Sequence, residues 1–313
     1  MTPLICVVGP TASGKTALAV QIARWVDGEI VGCDASQIYR GLDIGTGKVT
    51  PADLAGVPHH LVDLVEPDAP FDAAAYARAA DAVLADLAAR GKRAVLCGGT
   101  GLYLRALVDG LCSAPPVDPA VRDDLRARLA AGEGPSIHAE LSIVDPEAGA
   151  RIGPSDAPRL ERALGVYRTT GRTLTDWQRS QPPGPARYAT TMLGLDRPRD
   201  QLDARIARRV DTMFAAGLVD EVRALVAAGH GPHLRSLQAI GYRLVAAALE
   251  GELGLDDARA RMVIATRRYA RRQMTWFRAD PRVRWLRPPV DRPTLADYLG
   301  APRGAAGEGT WDD

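Results

Sequence analysis

The fold is decided by the stretch Gly9-Pro10-Thr11-Ala12-Ser13-Gly14-Lys15-Thr16, which lies between an apolar run and a run with helical spacing. Residues Leu4–Val8 before it predict a short buried strand, and apolar residues recur at helical intervals from Ala17 to Val26 after it. A strand, the pattern Gly-x-x-x-x-Gly-Lys-Thr and a helix together are typical of a phosphate-binding loop. Its glycines let backbone N–H groups turn inward toward an anion. The sequence therefore predicts that a polyphosphate binds here.

Two side chains of this loop have expected roles. Lys15 can reach an outer phosphate, and the hydroxyl of Thr16 can help to hold a Mg²⁺ ion. The motif leaves open which polyphosphate binds and whether water cleaves it. A glycine turn that arises by chance is the alternative, and the flanking strand and helix count against it.

The composition is that of an ordinary globular protein, with 46% hydrophobic and 25% charged residues in 313. No apolar stretch approaches the roughly 18 to 20 residues of a membrane span, and the chain enters a predicted strand too early for a signal peptide. The cysteines Cys6, Cys33, Cys97 and Cys112 lack metal-type spacing. We therefore expect a protein of the reduced cytoplasm whose cysteines are mainly core residues.

Positive charge is concentrated near the C-terminal end, although the formal net charge is only +1. The segment from Arg259 to Arg287 contains ten arginines and one acidic residue, Asp280. Such a block indicates a phosphate-rich partner. A solvated helix face is the alternative explanation.

Polar and glycine-rich loops follow the predicted strands. Asp34 ends a strand over Glu29–Cys33 and begins the irregular segment 34–48. Residues His59–Val65 predict a third strand, in which the pair His59-His60 has no third metal ligand at suitable spacing and is interpreted as structural. After an amphipathic helix over 73–90 and a strand over 94–97, Gly98-Gly99-Thr100-Gly101-Leu102-Tyr103 forms a second glycine-rich turn. Ligands of parallel sheets collect at this edge.

The pattern predicts an α/β protein with a parallel-sheet core of the P-loop nucleotide-kinase type, a helical insertion and a helical C-terminal region. From about Pro115 the periodicity is helical, and a strand-like run returns only over Ala189–Asp196. We predict a discontinuous core over 1–115 and 189–302, an insertion over 116–188 and a disordered tail over 303–313. Further helices are predicted over 202–216, 218–228, 236–250 and 255–278.

The phosphate-binding loop alone favours a kinase or an NTPase, but two additional glycine-rich loops and the arginine block fit a small-metabolite kinase poorly. Four motifs together resemble bacterial tRNA dimethylallyltransferases, from about Leu4 to Trp285. They are the segments 9–16, 34–48 (Asp34-Ala35-Ser36-Gln37 with Asp43 to Lys48), 98–103 and Gln238-Ala239-Ile240-Gly241-Tyr242. The resemblance implies a kinase-like core with a helical insertion that grips the anticodon stem-loop.

The resemblance also implies an activity and two substrates. The family transfers a dimethylallyl group from dimethylallyl diphosphate to N6 of the adenine 3′-adjacent to the anticodon, in tRNAs reading codons that begin with U. The Asp-Asp-x-x-Asp motif of terpenoid prenyltransferases is absent from this sequence, so the phosphate-binding loop must hold the diphosphate, with Mg²⁺ as cofactor. The residues implied for the diphosphate are Gly9, Pro10, Thr11, Ala12, Ser13, Gly14, Lys15 and Thr16.

Catalysis is assigned by the resemblance to Asp34 as general base, with Thr100 and Lys15. The tRNA contacts that the resemblance implies are Asp34, Ala35, Ser36, Gln37, Thr100, Arg159, Arg162, Gln238, Gly241 and Tyr242. Arg205, one helical turn from Arg209, is expected to reach the diphosphate or the tRNA backbone, with a solvated face as the alternative.

Each assignment has a structural alternative. Asp34 could cap a helix or bind Mg²⁺, Thr100 could shape a tight turn, and the segment 238–242 could be ordinary helix packing. For the whole chain, the alternatives are a small-molecule kinase and a non-catalytic tRNA-binding protein. We expect a monomer without membrane contact.

Overall fold

A parallel sheet carries the phosphate-binding loop in the computed structural model, which describes residues 3–50, 54–181, 184–231, 234, 236–299 and 310–311. The six strands are ordered β3-β2-β4-β1-β5-β6, and every neighbouring pair is parallel. They are β1 (Leu4–Val8), β2 (Gly28–Cys33), β3 (His59–His60), β4 (Arg93–Gly98), β5 (Thr190–Leu195) and β6 (Val283–Leu286). All five residues of β1 are buried, as expected for a central strand covered on both faces.

Helices cover both faces of the sheet and form the C-terminal region. Those of the first part of the chain are α1 (Lys15–Trp25), α2 (Ala73–Ala89) and α3 (Gly101–Val108). After β5 come α9 (Arg199–Ala215), α10 (Leu218–Ala227), a 3₁₀ turn (Ser236–Gln238), α11 (Ile240–Leu249), α12 (Leu255–Arg278) and α13 (Arg292–Leu299). A short antiparallel pair joins β7 (Val290–Asp291) and β8 (Thr310–Trp311).

The chain divides into two compact units, one formed by residues 1–108 with 187–313 and the other by 109–186. In the second unit, every regular element among the described residues is a helix. These are α4 (Pro119–Ala130), α5 (Gly134–Val144), α6 (Pro146–Arg151), α7 (Ala157–Thr170) and α8 (Leu174–Ser180). They enclose their own apolar core around Leu125, Ile137, Leu141, Leu160 and Leu164.

Three apolar clusters stabilise the larger unit. Alternate residues of β1 point to opposite faces, so Cys6 packs with α2 and α3 while Val7 packs with α1. The third cluster joins Ile38 and Leu42 of the segment after β2 to the C-terminal helices, and Tyr242 lies within it. The polar segment after β2 is therefore anchored by buried apolar side chains.

Several boundaries differ from the sequence-based prediction. Only His59 and His60 pair as a strand, because Leu61 and Asp63 take left-handed backbone angles (φ 62° and 53°) that end the extended run. The strand β6 and the helix α3 were not predicted, and the segment 236–250 is divided into a 3₁₀ turn and α11. The predicted disorder of 303–313 falls mainly outside the described residues.

Other expectations concern single residues and the membrane. His60 Nε2 lies 2.7 Å from the Glu29 carboxylate, which also pairs with Arg90, so this histidine is part of a structural network of polar side chains. Cys6 and Cys33 are buried free thiols, whereas Cys97 and Cys112 are partly exposed. None of the described helices combines the length and apolarity needed to cross a bilayer.

Candidate active site

The phosphate-binding loop connects the end of β1 to α1 through unusual backbone angles. Gly9 (φ 137°) and Gly14 (φ 94°) lie in regions that favour glycine, and Ala12 (φ 62°) is left-handed as well. A Cβ atom on Gly9 would lie 3.1 Å from the carbonyl oxygen of Leu195 on the neighbouring strand. The Lys15 ammonium donates to the carbonyl of Pro10 at 2.6 Å, so the side chain folds back over the loop.

The electrostatics around Lys15 suit an anion. Desolvation lowers the pKa of Lys15 to about 8, while Cys97 and Asp34 oppose that shift and Arg209 adds to it. Burial raises the pKa of the neighbouring Cys97 thiol to about 11, so this cysteine is neutral at pH 7 and is a poor nucleophile. A bound polyphosphate would add negative charge beside this desolvated ammonium.

Ser13 and two arginines complete the surroundings of the loop. The Ser13 hydroxyl is fully buried and has no hydrogen-bond partner among the described residues, which is costly unless a ligand supplies one. Arg205 Nε donates to the carbonyl of Ala12 at 2.8 Å, and Arg197 Nε donates to that of Ser13 at 2.9 Å. The structure therefore brings the predicted Arg205 to the loop, together with Arg197, which no sequence motif indicated.

Asp34 lies at the carboxyl end of β2, on the sheet edge that also carries the phosphate-binding loop. Its Oδ1 accepts from the backbone N–H groups of Ser36 (2.9 Å) and Gln37 (3.4 Å). Its Oδ2 accepts no hydrogen bond from the described residues. The carboxylate is thus held by one oxygen and keeps lone pairs on the other, as a general base requires.

Thr100 fixes the backbone on which Asp34 sits. Its hydroxyl accepts from the N–H of Ala35 at 3.0 Å, and its own N–H donates to the carbonyl of Cys33 at 3.2 Å. The ends of β2 and β4, where Cys33 and Gly98 pair, approach so closely that a Cβ atom on Gly98 would lie 2.0 Å from the Cys33 carbonyl oxygen. Only glycine fits there, so this motif is built for contact with the Asp34 turn.

Gln37 is anchored by the segment 43–48. Its Nε2 donates to the carbonyls of Thr46 (3.3 Å) and Gly47 (3.2 Å), while its Oε1 has no partner among the described residues. Arg209 donates to the same Thr46 carbonyl at 3.0 Å. Desolvation lowers the pKa of Arg209 and the nearby Asp34 opposes that shift, so this arginine lies beside the site and its surroundings differ from a solvated helix face.

Glu221 holds the segment 43–48 from behind. Its two carboxylate oxygens accept from the backbone N–H groups of Asp43 (3.1 Å), Ile44 (2.8 Å) and Gly45 (3.1 Å). The Tyr242 hydroxyl donates to the same carboxylate at 2.6 Å. Nothing in the sequence distinguished Glu221 from the other acidic residues of amphipathic helices.

The motif 238–242 divides between surface and core. Gln238 is exposed, whereas Gly241 is buried beside Met262 and Tyr242 is fully buried. A fully buried ring has no surface for RNA, so Tyr242 lies behind the binding surface and supports it.

α12 contributes a tyrosine and a glutamine to this edge of the sheet. Burial raises the pKa of Tyr269 well above its ordinary range, and the nearby Asp34 adds to that shift. Gln273 is a buried polar residue with partners in both glycine-rich loops, at Thr11 and Gly99. Neither residue was singled out from the sequence, because the arginines around them dominated that segment.

The two arginines predicted in the insertion differ in their surroundings. Arg162 donates to the carbonyls of Pro115 (2.8 Å) and Ala114 (2.9 Å). These bonds hold the segment that precedes the first helix of the insertion. The Arg159 side chain is 64% exposed and lies 3.5 Å from Asp156, a weak surface pair that leaves it accessible.

Most of the chain matches a known family. A family model described as IPP transferase matches residues 37–280, well over half of the chain. The chain belongs to the IPP transferase family. The resemblance drawn from the four motifs is thereby confirmed.

Curated relatives within the IPP transferase family carry one activity name. The tRNA dimethylallyltransferase of Syntrophobacter fumaroxidans is 49% identical over 284 residues, which cover 91% of this chain and 83% of the relative. That of Anaeromyxobacter dehalogenans is 50% identical over 293 residues, which cover 94% and 97%. Both names describe prenyl transfer, and neither describes a kinase.

Crystal structures of the IPP transferase family share the fold described above. The full-length tRNA isopentenylpyrophosphate transferase of Bacillus halodurans is 35% identical, with a TM-score of 0.71 and coverage of 96% of this chain and 97% of that one. A eukaryotic dimethylallyltransferase acting on tRNA is 25% identical, with a TM-score of 0.77 and coverage of 92% and 74%. The predicted fold class is confirmed.

Proposed function

We propose that this protein transfers a dimethylallyl group from dimethylallyl diphosphate to N6 of the adenine 3′-adjacent to the anticodon, in tRNAs that read codons beginning with U. One observation carries the proposal beyond family membership. An anion-binding loop and a carboxylate with one oxygen that has no partner among the described residues lie at the same edge of a single sheet. This juxtaposition suits alkyl transfer from a diphosphate to a weak nitrogen nucleophile.

Asp34 acts on the nucleophile. Adenine N6 is a poor nucleophile because its lone pair is delocalised into the ring. As the bond from N6 to the first carbon of the dimethylallyl group forms, Oδ2 of Asp34 accepts the proton that N6 loses. Gln37 Oε1 can accept from the second N6 proton, since its amide nitrogen is already bonded to Thr46 and Gly47.

The phosphate-binding loop acts on the leaving group. The bond between carbon and the bridging oxygen breaks, and its electron pair departs on the diphosphate. Backbone N–H groups of the loop, the Lys15 ammonium and the Ser13 hydroxyl stabilise that developing charge. Arg197 and Arg205 add positive charge beside the loop, where each contacts a loop carbonyl.

The residues of the loop fit a Mg²⁺ ion bound together with the diphosphate. The described residues contain no cluster of three or more acidic, histidine or cysteine ligands. Mg²⁺ in phosphate sites needs only one or two protein oxygens, since phosphate and water supply the other ligands. The Thr16 hydroxyl is an oxygen of this type. When bound, the ion would neutralise part of the diphosphate charge.

The proposed tRNA contacts are residues of the site edge and exposed arginines. Arg261, Arg268 and Arg271 on α12 are exposed, and their side chains have no hydrogen bond or ion pair within the described residues. In the insertion, Arg159 is the accessible member of the predicted pair. The target adenine must leave its stack to reach Asp34, as base-modifying enzymes require. Because tRNA is the substrate and one chain supplies every group named above, we infer a cytoplasmic monomer.

The direct test is transfer to a defined RNA. An unmodified anticodon stem-loop with adenine 3′ of the anticodon, incubated with dimethylallyl diphosphate and Mg²⁺, should yield N6-dimethylallyl-adenosine and diphosphate, measured by mass spectrometry of the nucleosides. A matched stem-loop with guanine at that position should stay unmodified. Phosphate transfer from ATP, or an unmodified adenine in the first stem-loop, would contradict the proposal.

A further inference from the structure

Gln273 connects the two glycine-rich loops of the site. Its Oε1 accepts from the backbone N–H of Thr11 at 2.8 Å, and its Nε2 donates to the carbonyl of Gly99 at 3.0 Å. Only 6% of the residue is exposed. One buried amide thus donates a hydrogen bond to one loop and accepts a hydrogen bond from the other. The two loops are distant in sequence from Gln273 and from each other.

The packing around the amide leaves it little freedom. A Cβ atom on Gly99 would lie 2.0 Å from Gln273 Nε2, so the glycine is needed for this approach. One helical turn further along α12, the Trp276 ring meets Gly101, where a Cβ atom would lie 2.1 Å from the indole nitrogen. α12 is therefore fitted closely to the turn that carries Thr100.

The bond to Thr11 has a consequence for the phosphate-binding loop. The Thr11 N–H points to Gln273 and is unavailable to a phosphate, so its task is to fix the path of the loop. The remaining N–H groups of the loop are then held in a set orientation relative to α12.

The hydrogen bond from Gln273 to Gly99 connects α12 to the residues around the proposed general base, Asp34. Gly99 is followed by Thr100, whose hydroxyl accepts from the N–H of Ala35, the residue next to Asp34. The hydrogen bonds of Gln273, the peptide link from Gly99 to Thr100 and the hydrogen bond of the Thr100 hydroxyl therefore connect the phosphate-binding loop to the Asp34 turn.

We propose that Gln273 is a positioning residue that sets the distance between the diphosphate and the adenine in the ternary complex. Alkyl transfer needs the nitrogen, the carbon and the leaving oxygen in line, and a misplacement of about 1 Å can cost on the order of 100-fold in rate. Each substrate has its own loop, so either one can bind without the bridge. The hydrogen bonds of Gln273 therefore affect the transfer step, which needs both substrates in place. The inference rests on the proposed function.

The test compares binding and chemistry in Gln273→Met, which keeps the length of the side chain and removes both hydrogen bonds. Gln201→Met is the matched control, because Gln201 is exposed on α9 and its side chain makes no hydrogen bond among the described residues. We expect the dissociation constants of inorganic diphosphate and of the stem-loop, each measured alone, to stay within about threefold of wild type. The single-turnover rate with both substrates saturating should fall on the order of 100-fold.

A second variant gives a readout that loss of packing would not produce. In Gln273→Glu, the ionised carboxylate cannot donate to Gly99, but the protonated carboxyl has one donor and one acceptor, as the amide has. Burial favours that protonated form. The single-turnover rate of Gln273→Glu, divided by that of wild type at the same pH, should therefore rise as the pH falls from about 8 to 6.

Three results would overturn the inference. They are a wild-type single-turnover rate in Gln273→Met, a loss confined to the affinity for diphosphate, and a rate ratio for Gln273→Glu that does not change with pH. An inactive wild-type protein would contradict the proposed function together with this inference, whereas an active wild type with unaffected variants would contradict the inference alone.

Discussion

At the level of single residues, the desolvated ammonium of Lys15 makes the enzyme sensitive to alkaline pH. Its pKa is lowered to about 8, so in the free enzyme the charge is present below that pH and is lost above it. We expect kcat/KM for dimethylallyl diphosphate to fall as pH rises through about 8, because kcat/KM reports groups of the free enzyme. The substrate is already fully ionised there, since its last phosphate pKa is about 6.

The measurement is log(kcat/KM) between about pH 6 and 10. Lys15→Arg is the control, because a guanidinium keeps its charge over this range and should remove the alkaline decline in whatever activity remains. A profile of the wild-type enzyme that stays flat to the end of the range would contradict this assignment.

The structural role of Asp34 Oδ1 and the proposed catalytic role of Oδ2 can be tested separately. Asp34→Asn keeps an oxygen that can accept from Ser36 and Gln37, so the turn should persist, but the amide cannot take a proton. We expect Asp34→Asn and Asp34→Ala to lower the single-turnover rate on the order of 10²–10⁴-fold, with a smaller effect on tRNA affinity. If Asp34→Asn turned over at a rate near that of wild type, Asp34 would orient the adenine without acting as a base.

The site residues that could be proposed from the sequence are those within motifs. Lys15 was predicted from the phosphate-binding loop, and the roles of Asp34 and Thr100 were implied by the family resemblance, which rests on local motifs. Arg197 and Gln273 were missed, since their roles depend on partners that are distant in sequence; Gln273 and Thr11 are 262 residues apart. No local pattern encodes such a contact.

At the level of structural elements, the Glu221 carboxylate organises the segment 43–48 and, through it, Gln37. Glu221→Gln replaces one acceptor by an amide donor that faces backbone N–H groups, so the segment should loosen. We expect tRNA affinity to fall about tenfold and the free energy of unfolding by about 2 kcal/mol, while the affinity for diphosphate stays unchanged.

Two variants test whether this effect belongs to the buried contact. Tyr242→Phe removes the hydroxyl that bonds to Glu221 and to the backbone of Gly45, and it should have the same effects at smaller size. Glu252→Gln changes the same charge at an exposed position and should have none. Equal losses of tRNA and diphosphate affinity in Glu221→Gln, measured by titration, would argue against a role specific to this segment.

The elements with long, regular periodicity were the predictable ones. α2 and α12 agree with the sequence prediction to within about a residue at each end. β6 was hidden because arginines flank and interrupt its apolar residues, and β3 was overestimated because positive φ angles at Leu61 and Asp63 cannot be read from an apolar run.

At the level of the whole molecule, the arginine block divides into paired and unpaired members. Arg268 and Arg271 are exposed and without ion-pair partners among the described residues, whereas Arg259 pairs with Asp211 on α9. If the first two contact tRNA phosphates, each alanine substitution should reduce the slope of log affinity against log salt by about 0.7–0.9.

Arg259→Ala is the matched control on the same helix. It should leave the slope unchanged and lower the free energy of unfolding by less than about 1 kcal/mol, as loss of an exposed pair does. Diphosphate inhibition should be insensitive to all three substitutions. Identical slopes in every variant would mean that α12 is a solvated face and that RNA is held elsewhere.

The order of strands has a consequence for how the protein is made. β1 lies between β4 and β5, and β5 comes after the entire insertion. During synthesis from the N-terminus, at about 5–20 residues per second, the apolar strand Leu4–Val8 keeps one open edge until residue 195 has left the ribosome. The insertion needs no such wait, since its core is drawn from 109–186 alone. The insertion can therefore fold before the sheet is complete, although it follows β1 in the sequence. Until β5 has been synthesised, the open edge of β1 must be protected from aggregation by a chaperone or by rapid completion of the chain.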